Sequence, residues 1–121
     1  ESATYQQFLT RHVDFPKTGA PNDRIYCNTL MQRRGLTRPV CKPTNTFIHA
    51  PANQLQAICR RAGRCRGRNL CDSNSAFRLT TCRVAPGSRP GRCNYRARVL
   101  TRRIRVACNR QRLPVHFHRI L

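Results

Sequence analysis

Few side chains of this chain titrate near neutral pH, and together they could form an acid–base pair. The four histidines are His12, His49, His116 and His118, and Lys42 is one of only two lysines among 24 basic residues. One imidazole could accept a proton while another donates one, and a nearby ammonium group could stabilise a developing oxyanion. A single histidine is more often structural than catalytic. The group suggests catalysis, and this chemistry would need no metal ion and no cofactor.

Eight cysteines are spread over most of the chain. None of them forms a C-x-x-C pair, which zinc and redox sites favour, so we interpret them as four disulfides whose pairing the spacing alone does not determine. Disulfides persist in oxidising compartments. We therefore expect a secreted, extracellular protein.

The formal net charge is +20, from 24 basic and four acidic residues. Such a charge favours polyanionic partners, namely nucleic acid, heparin-like glycans and anionic membrane surfaces such as those of bacteria. Arginine can also bind phosphate through two hydrogen bonds. The alternative is a strongly solvated basic surface with no partner. The densest cluster, which we predict to face phosphate-rich surfaces, consists of Arg60, Arg61, Arg64, Arg66 and Arg68.

The first half of the chain predicts helices. The stretch 4–13 has apolar residues at helical spacing on a face that also carries His12. A second helix is predicted over 23–34, and a third over 53–62, closed by Gly63. We find no repeat, low-complexity tract or linker, so residues 1–121 are expected to form one domain and a soluble monomer. No apolar run approaches the ~18 residues that span a bilayer.

The second half alternates apolar and polar residues, which is the period of half-buried strands, over 75–84, 93–100, 102–108 and 113–121. In the last of these, alternation places His116 and His118 on one face and Val115 and Phe117 on the other. Helices followed by antiparallel strands predict an α+β protein, with three helices packed on a bent antiparallel sheet.

Three segments resemble the pancreatic ribonuclease (ribonuclease A) superfamily. They are F-x-x-x-H at Phe8 to His12, CKPTNTF at 41–47 and PVHF at 114–117. The middle segment is highly specific, and the eight cysteines follow the family's order along essentially the whole chain. The resemblance implies four disulfides: Cys27–Cys82, Cys41–Cys93, Cys59–Cys108 and Cys65–Cys71.

The resemblance also implies a metal-independent endoribonuclease that cleaves single-stranded RNA after pyrimidines and forms a 2′,3′-cyclic phosphate. It assigns the base to His12, the acid to His116 and the stabilising cation to Lys42. The pyrimidine would be read by Thr46, in a pocket shaped also by Asn45 and Phe117.

Two positions depart from the family pattern. Arg11 replaces a glutamine that contacts the phosphate, so it either adds a second cation there or turns outward. His118 replaces an aspartate that orients the catalytic imidazole. A neutral His118 could accept a hydrogen bond from His116, whereas a protonated one would repel it. We therefore expect cleavage, at a rate that these changes could reduce.

A basic segment, MQRRGL, is similar to the angiogenins, in which such a stretch serves nuclear import; it consists of Met31, Gln32, Arg33, Arg34, Gly35 and Leu36. A solvated helix end favoured by the dipole is the alternative interpretation. The Cys65–Cys71 loop is absent from mammalian angiogenins, so the chain resembles more closely the angiogenin-like or leukocyte ribonucleases of non-mammalian vertebrates. Arg119 and Ile120 occupy positions from which a pyrimidine pocket could be blocked.

Other functions compete with RNA cleavage alone. A cationic host-defence protein would damage bacterial envelopes, with RNA cleavage incidental. An angiogenin-like growth factor would need both cleavage and cell entry. The resemblance further implies a ribonuclease inhibitor as a partner, and storage in leukocyte granules or entry into the nucleus.

Overall fold

Three helices and seven strands lie in the part of the chain that the structure, a computed structural model, describes, which is residues 3–67 and 69–121. The helices are α1 (Tyr5–His12), α2 (Asp23–Arg33) and α3 (Ala52–Ile58). The strands are β1 (Thr44–Ile48), β2 (Gly63–Arg66), β3 (Leu70–Ser73), β4 (Phe77–Val84), β5 (Tyr95–Arg102), β6 (Ile104–Cys108) and β7 (Pro114–Ile120). None of the helices in these ranges is long and apolar enough to cross a membrane.

Side-chain caps explain where the first two helices begin. Thr4 and Gln7 form a reciprocal capping box at α1, with bonds of 3.0 and 3.1 Å. The Asn22 side chain accepts from the amide of Ile25 at the start of α2. Gly35, at φ +73°, takes the left-handed conformation just after that helix ends. Both predicted helices are confirmed.

The third predicted helix is four residues too long, because α3 ends at Ile58. The amide of Ala62 donates to the carbonyl of Ala57 at 2.8 Å, which reverses the chain. Gly63 then approaches the end of the helix so closely that a Cβ atom would lie 1.9 Å from the carbonyl oxygen of Ile58. Gly63 therefore starts strand β2 instead of simply closing a helix.

The strands form two antiparallel sheets, of order β1-β4-β5 and β2-β3-β6-β7. The four predicted strands are present as β4, β5, β6 and β7, with ends shifted by up to two residues. The α+β prediction is thus confirmed, while β1, β2 and β3 were not predicted.

Two apolar cores join the helices to the sheets. One core gathers residues of α1 and α3 with strands of both sheets, including Phe8, Leu55 and Val106. The other packs α2 against the three-stranded sheet through Tyr26 and Phe47. The helix that carries His12 is therefore held firmly against β1.

The four disulfides pair as the resemblance implied: Cys27–Cys82, Cys41–Cys93, Cys59–Cys108 and Cys65–Cys71. Three of them close loops of 49 to 55 residues. In the chain-entropy model each such closure stabilises the fold by about 4 kcal/mol. The fourth closes the β2–β3 hairpin and constrains only a local loop.

Candidate active site

His12, the last residue of α1, is fixed by the backbone of β1. Its Nδ1 lies 2.9 Å from the carbonyl oxygen of Thr46. That oxygen can only accept, so Nδ1 donates and Nε2 keeps a lone pair. The ring packs 5.4 Å from the rings of Phe8 and Phe117. The result is an oriented imidazole with a free acceptor.

The environment of His12 favours its neutral form. The side chain is 8% exposed, and burial lowers its pKa from 6.5 to about 4. The hydrogen bond to Thr46 opposes this shift, and the positive charges of Lys42 and Arg11 add to it. His12 is therefore neutral at neutral pH, with a lone pair on Nε2 that can accept a proton.

Lys42 is positioned from three directions. Its Nζ donates to Oδ1 of Asn45 at 2.9 Å, and Nδ2 of Asn45 donates in turn to the carbonyl of Arg11. The Tyr95 hydroxyl donates to the Lys42 carbonyl at 2.8 Å. The preceding residue, Cys41, is held by its disulfide. Burial and the charge of Arg11 lower the pKa of Lys42. Asn45 thus links the cation to the helix that carries the base.

Two threonine hydroxyls meet beside these groups. Thr46 and Thr81 are directly opposite on β1 and β4, and their Oγ1 atoms are 3.0 Å apart. Sequence reasoning named Thr46 and missed Thr81. Only the strand register identifies Thr81, and it became visible once β1 was known.

His116 and His118 lie on β7, where the strand is irregular. Its pairing with β6 skips Val115 and His118, so each of these residues has no partner on β6. Both histidines are exposed, while Val115 and Phe117 are half-buried, as the alternation predicted. Within residues 3–67 and 69–121, neither imidazole makes a hydrogen bond. The bond from His116 to His118 that we considered is therefore not formed.

One cleft of about 490 Å³ brings the predicted site together. Its lining includes every predicted catalytic and substrate-binding residue: Arg11, His12, Lys42, Asn45, Thr46, His116, Phe117 and His118. The cleft is completed by residues from both sheets, which are Thr44, Thr81, Arg83, Val115, Arg119 and Ile120. Arg119 and Ile120 thus border the cleft, as expected from their positions.

The sequence model of the pancreatic ribonuclease family matches residues 3–118. The chain belongs to this family. It is 52% identical to a ribonuclease of Chelonia mydas, over 97% of this chain and 98% of the relative. It is 46% identical to an angiogenin of Rhinopithecus avunculus, over 96% of this chain and 77% of the relative. The crystal structure of green turtle egg white ribonuclease superposes with a TM-score of 0.92 at 52% identity, covering 97% and 98% of the two chains.

His49, the remaining histidine of this ribonuclease-family chain, is structural. Its Nδ1 donates to the carbonyl of Asp14 at 2.9 Å, and its Nε2 accepts from the Thr80 hydroxyl at 2.8 Å. Both ring nitrogens are therefore occupied, and the residue lies outside the cleft. Among the described residues, no group of three or more His, Cys, Asp or Glu side chains could hold a metal ion.

The basic segment 31–36 is only partly available to a partner. Met31 is fully buried, and Leu36 is half-buried. The Arg34 guanidinium donates to the carbonyls of Thr10 and Val13 at 2.7 and 2.8 Å. It also contacts Asp14 at 3.3 Å. Arg34 thus binds the C-terminal end of α1, whereas the remaining residues, Gln32, Arg33 and Gly35, are exposed.

The cluster predicted from residue 60 onward is largely exposed. Arg60, Arg61 and Arg64 are on the surface. Arg66 pairs with Asp72 at 3.1 Å. Arg68 lies outside the described residues. Three cations of this cluster are therefore exposed and make no salt bridge within the described residues.

Proposed function

We propose that the chain is an endoribonuclease that cleaves single-stranded RNA after pyrimidines by transphosphorylation. The observation that carries the proposal is the shared cleft, in which His12 offers a free Nε2 acceptor and His116 and Lys42 line the same space. Membership of the ribonuclease family supports RNA as the substrate. The four disulfides support secretion, because such bonds persist in oxidising compartments.

In the proposed reaction, His12 accepts the proton of the ribose 2′-hydroxyl. The 2′-oxygen then forms a bond to phosphorus, and the bond from phosphorus to the 5′-oxygen of the next nucleotide breaks. His116, protonated, donates its proton to that leaving oxygen. The products are a 2′,3′-cyclic phosphate and a free 5′-hydroxyl, and the two histidines exchange protonation states. Water can open the cyclic phosphate with their roles reversed.

Lys42 would stabilise the charge that develops on the phosphoryl oxygens. Its Nζ is held by Asn45, so little reorganisation is needed as charge develops. Arg11 lines the same cleft, which supports a second cation near the phosphate. The ammonium is a compact point charge, whereas a guanidinium would spread the same charge over a wider fork.

The hydroxyl pair of Thr46 and Thr81 supports the pyrimidine preference. A hydroxyl can both donate and accept, so either side chain can supply what the base lacks. N3 of cytosine accepts a hydrogen bond and N3–H of uracil donates one. One site could therefore serve both pyrimidines, and the ring of Phe117 borders it.

The test is cleavage of matched RNA and DNA oligonucleotides in the presence and absence of a chelator. We expect RNA to be cut after pyrimidines in both conditions and DNA to survive, because it lacks the 2′-hydroxyl. The variant His12→Ala, purified in the same way, should lose cleavage and controls for a contaminating nuclease. Equal cutting of DNA, or full loss of activity with the chelator, would contradict the mechanism.

A second proposed activity is damage to anionic bacterial surfaces. The observation that favours it is the scarcity of acidic partners: the described acids Asp14, Asp23 and Asp72 are all ion-paired, with Lys17, Arg34, Arg66 and Arg105. The other described cations make no salt bridge, and most of them are exposed. Near an anionic lipid surface, each basic residue adds roughly 1 kcal/mol of attraction.

Bacterial survival in low-salt buffer separates this activity from RNA cleavage. The triple variant of Arg60, Arg61 and Arg64 to glutamine should kill less and still cleave a dinucleotide. His12→Ala should kill normally and not cleave. If His12→Ala fails to kill, or the triple variant kills like the wild type, charge on a rigid scaffold is not the cause of killing.

A further inference from the structure

Two different disulfides touch each other inside the four-stranded sheet. Cys71 lies on β3 and Cys108 on β6, and these strands are paired. Their Sγ atoms are 3.5 Å apart, although each is bonded to another partner. A nucleophile and its target are well placed to react when their atoms lie about 3–3.5 Å apart. The two sulfurs are therefore close enough for one disulfide to exchange with the other.

The two ends of the Cys65–Cys71 disulfide differ in exposure. Cys65 is on the surface, whereas Cys71 is 2% exposed. An external thiol can therefore attack the sulfur of Cys65, and exposed disulfides are the labile ones. Cys71 is then the leaving sulfur, released as a thiolate inside the apolar core. An unpaired charge in such surroundings is unfavourable, so this thiolate is not a stable product.

The charges around Cys65 favour an anionic thiol. Its neighbours Arg64 and Arg66 are exposed, and Arg64 makes no salt bridge within the described residues. The nearby carboxylate of Asp72 is already bound by Arg105 at 2.6 and 3.2 Å and by Arg66 at 3.1 Å. Cations beside an attacked sulfur attract thiolates, which are the reactive form of a thiol.

We propose that Cys65 is a modification site for small anionic thiols, and that this modification opens the buried Cys59–Cys108 disulfide. The external thiolate attacks Sγ of Cys65, forms a mixed disulfide there and breaks the bond to Cys71. The Cys71 thiolate then attacks Sγ of Cys108, forms a Cys71–Cys108 bond and releases Cys59. The proton that the external thiol lost ends on Cys59. Two disulfides are present before and after, so no further reductant is consumed.

The exchange changes which elements are covalently joined. Cys59 follows α3, so the native bond ties that helix to β6. The new bond ties β3 to β6, which backbone hydrogen bonds already hold together. The sequence separation of the bonded cysteines falls from 49 to 37. In the chain-entropy model this changes the equilibrium by a factor of only roughly 1.5. One attack at the surface therefore frees α3 from its covalent tie, and loop closure hardly opposes it.

Two single-cysteine substitutions isolate the second step. Cys65→Ala leaves a free thiol at Cys71, in contact with Cys108. Cys71→Ala is the matched control, because it leaves the free thiol at Cys65 on the surface. Each protein is held at neutral pH without added thiol, quenched in acid, unfolded and alkylated with a maleimide at low pH. Peptide mapping by mass spectrometry then locates the maleimide and the remaining disulfides.

In Cys65→Ala we expect maleimide on Cys59 in at least about a tenth of the molecules, together with a Cys71–Cys108 bond. In Cys71→Ala the maleimide should be on Cys65, with Cys59–Cys108 intact. Maleimide on Cys71 alone in the first variant, or equal labelling of Cys59 in the control, would overturn the inference.

The wild-type chain treated with glutathione tests the whole sequence without any substitution. We expect glutathione on Cys65, maleimide on Cys59 and a Cys71–Cys108 bond in the same molecules. An adduct on another cysteine, or maleimide on Cys71 with Cys59–Cys108 intact, would show that the exposed disulfide does not communicate with the buried one.

Discussion

His12 and His116 line the same cleft, but the fold holds them in different ways. His12 is 8% exposed, donates to a backbone carbonyl and packs between two aromatic rings. His116 is exposed on a strand with two bulges and makes no hydrogen bond within the described residues. The tautomer and orientation of the proposed base are thus fixed before substrate binds. Those of the proposed acid are left to the substrate and to neighbouring side chains.

The difference follows from the elements that carry the two residues. His12 ends a helix that is capped at its start by Thr4 and bound at its end by Arg34. His116 follows the skipped residue Val115, where the ladder between β6 and β7 is interrupted. Burial keeps the base neutral, while exposure leaves the acid able to exchange protons with water. One half of the site is preorganised, and the other is adaptable.

The largest expected effect comes from disturbing the preorganised half at Lys42. Lys42→Arg keeps the charge but replaces a point donor held by Asn45 with a wider fork. We expect kcat to fall by roughly 100-fold, which corresponds to about 3 kcal/mol of lost transition-state stabilisation. Affinity for a non-cleavable DNA analogue should change little. Lys17→Arg is the matched control, since Lys17 lies outside the cleft, where it pairs with Asp23 and lies over the Tyr26 ring. Wild-type turnover in Lys42→Arg would show that a positive charge alone suffices.

Arg34→Gln tests whether the Arg34 guanidinium holds the C-terminal end of α1, which carries His12. The Asp14 side chain is only 6% exposed. Although burial opposes ionisation, hydrogen bonds from Thr18 and Tyr26 and the charge of Arg34 keep the pKa of Asp14 low. Without Arg34, the buried Asp14 carboxylate loses its ion-pair partner. We therefore expect the free energy of unfolding, measured by urea denaturation at pH 7, to drop by about 2 kcal/mol.

The matched control for this prediction is Arg33→Gln, because Arg33 is the exposed neighbour in the same basic segment. Its unfolding free energy should stay within about 0.5 kcal/mol of wild type. If both variants unfold at the same urea concentration, Arg34 has no structural role and its guanidinium is available to a partner.

The pH dependence of stability should distinguish the two histidines. The pKa of His12 is about 4 in the folded chain and near 6.5 when unfolded. Between these values the unfolded chain binds more protons, so stability is greatest above pH 6.5 and falls as pH falls toward 4. From pH 7 to pH 5, His12 should account for a loss of about 2 kcal/mol.

Urea unfolding of His12→Asn and His116→Asn at both pH values provides the measurement. His12→Asn should lose much less stability between pH 7 and pH 5 than the wild type does. His116→Asn makes the same substitution at the other histidine of the cleft and controls for the loss of an imidazole there. Identical pH dependence in the two variants would show that burial does not set the protonation of His12.

Sequence reasoning found the parts of this site that local patterns encode. The helices over 4–13 and 23–34 and the alternating strands of the second half were predicted because each pattern lies within a single element. Strand β1 was missed because four consecutive residues are buried, from Asn45 to Ile48, so its sequence does not alternate. Strand β2 was missed because three of its four residues are exposed.

Other features depend on contacts between distant parts of the chain. Thr81 becomes a site residue only through its register with Thr46, 35 positions away. Arg34 looks like a free cation in the sequence, but its partners are carbonyls more than 20 positions earlier. The bulge at His118 likewise depends on how β7 pairs with β6. Such contacts are products of the fold and have no local pattern.

The smallest expected effect concerns the adaptable half, through His118→Asp. A carboxylate two residues from His116 would favour its protonated form and give the imidazole an acceptor to orient it. We expect kcat/KM at neutral pH to rise by roughly threefold, the size of a weak, solvent-screened charge interaction. The alkaline limb of the pH–rate profile should move to higher pH, because the acid would keep its proton longer. Asparagine is close to aspartate in size but carries no charge, so His118→Asn should leave the alkaline limb at the pH of the wild type. If His118→Asp is slower than the wild type and its circular dichroism spectrum is unchanged, His118 itself assists the reaction. The exposed end of the cleft would then be more organised than its lack of hydrogen bonds suggests.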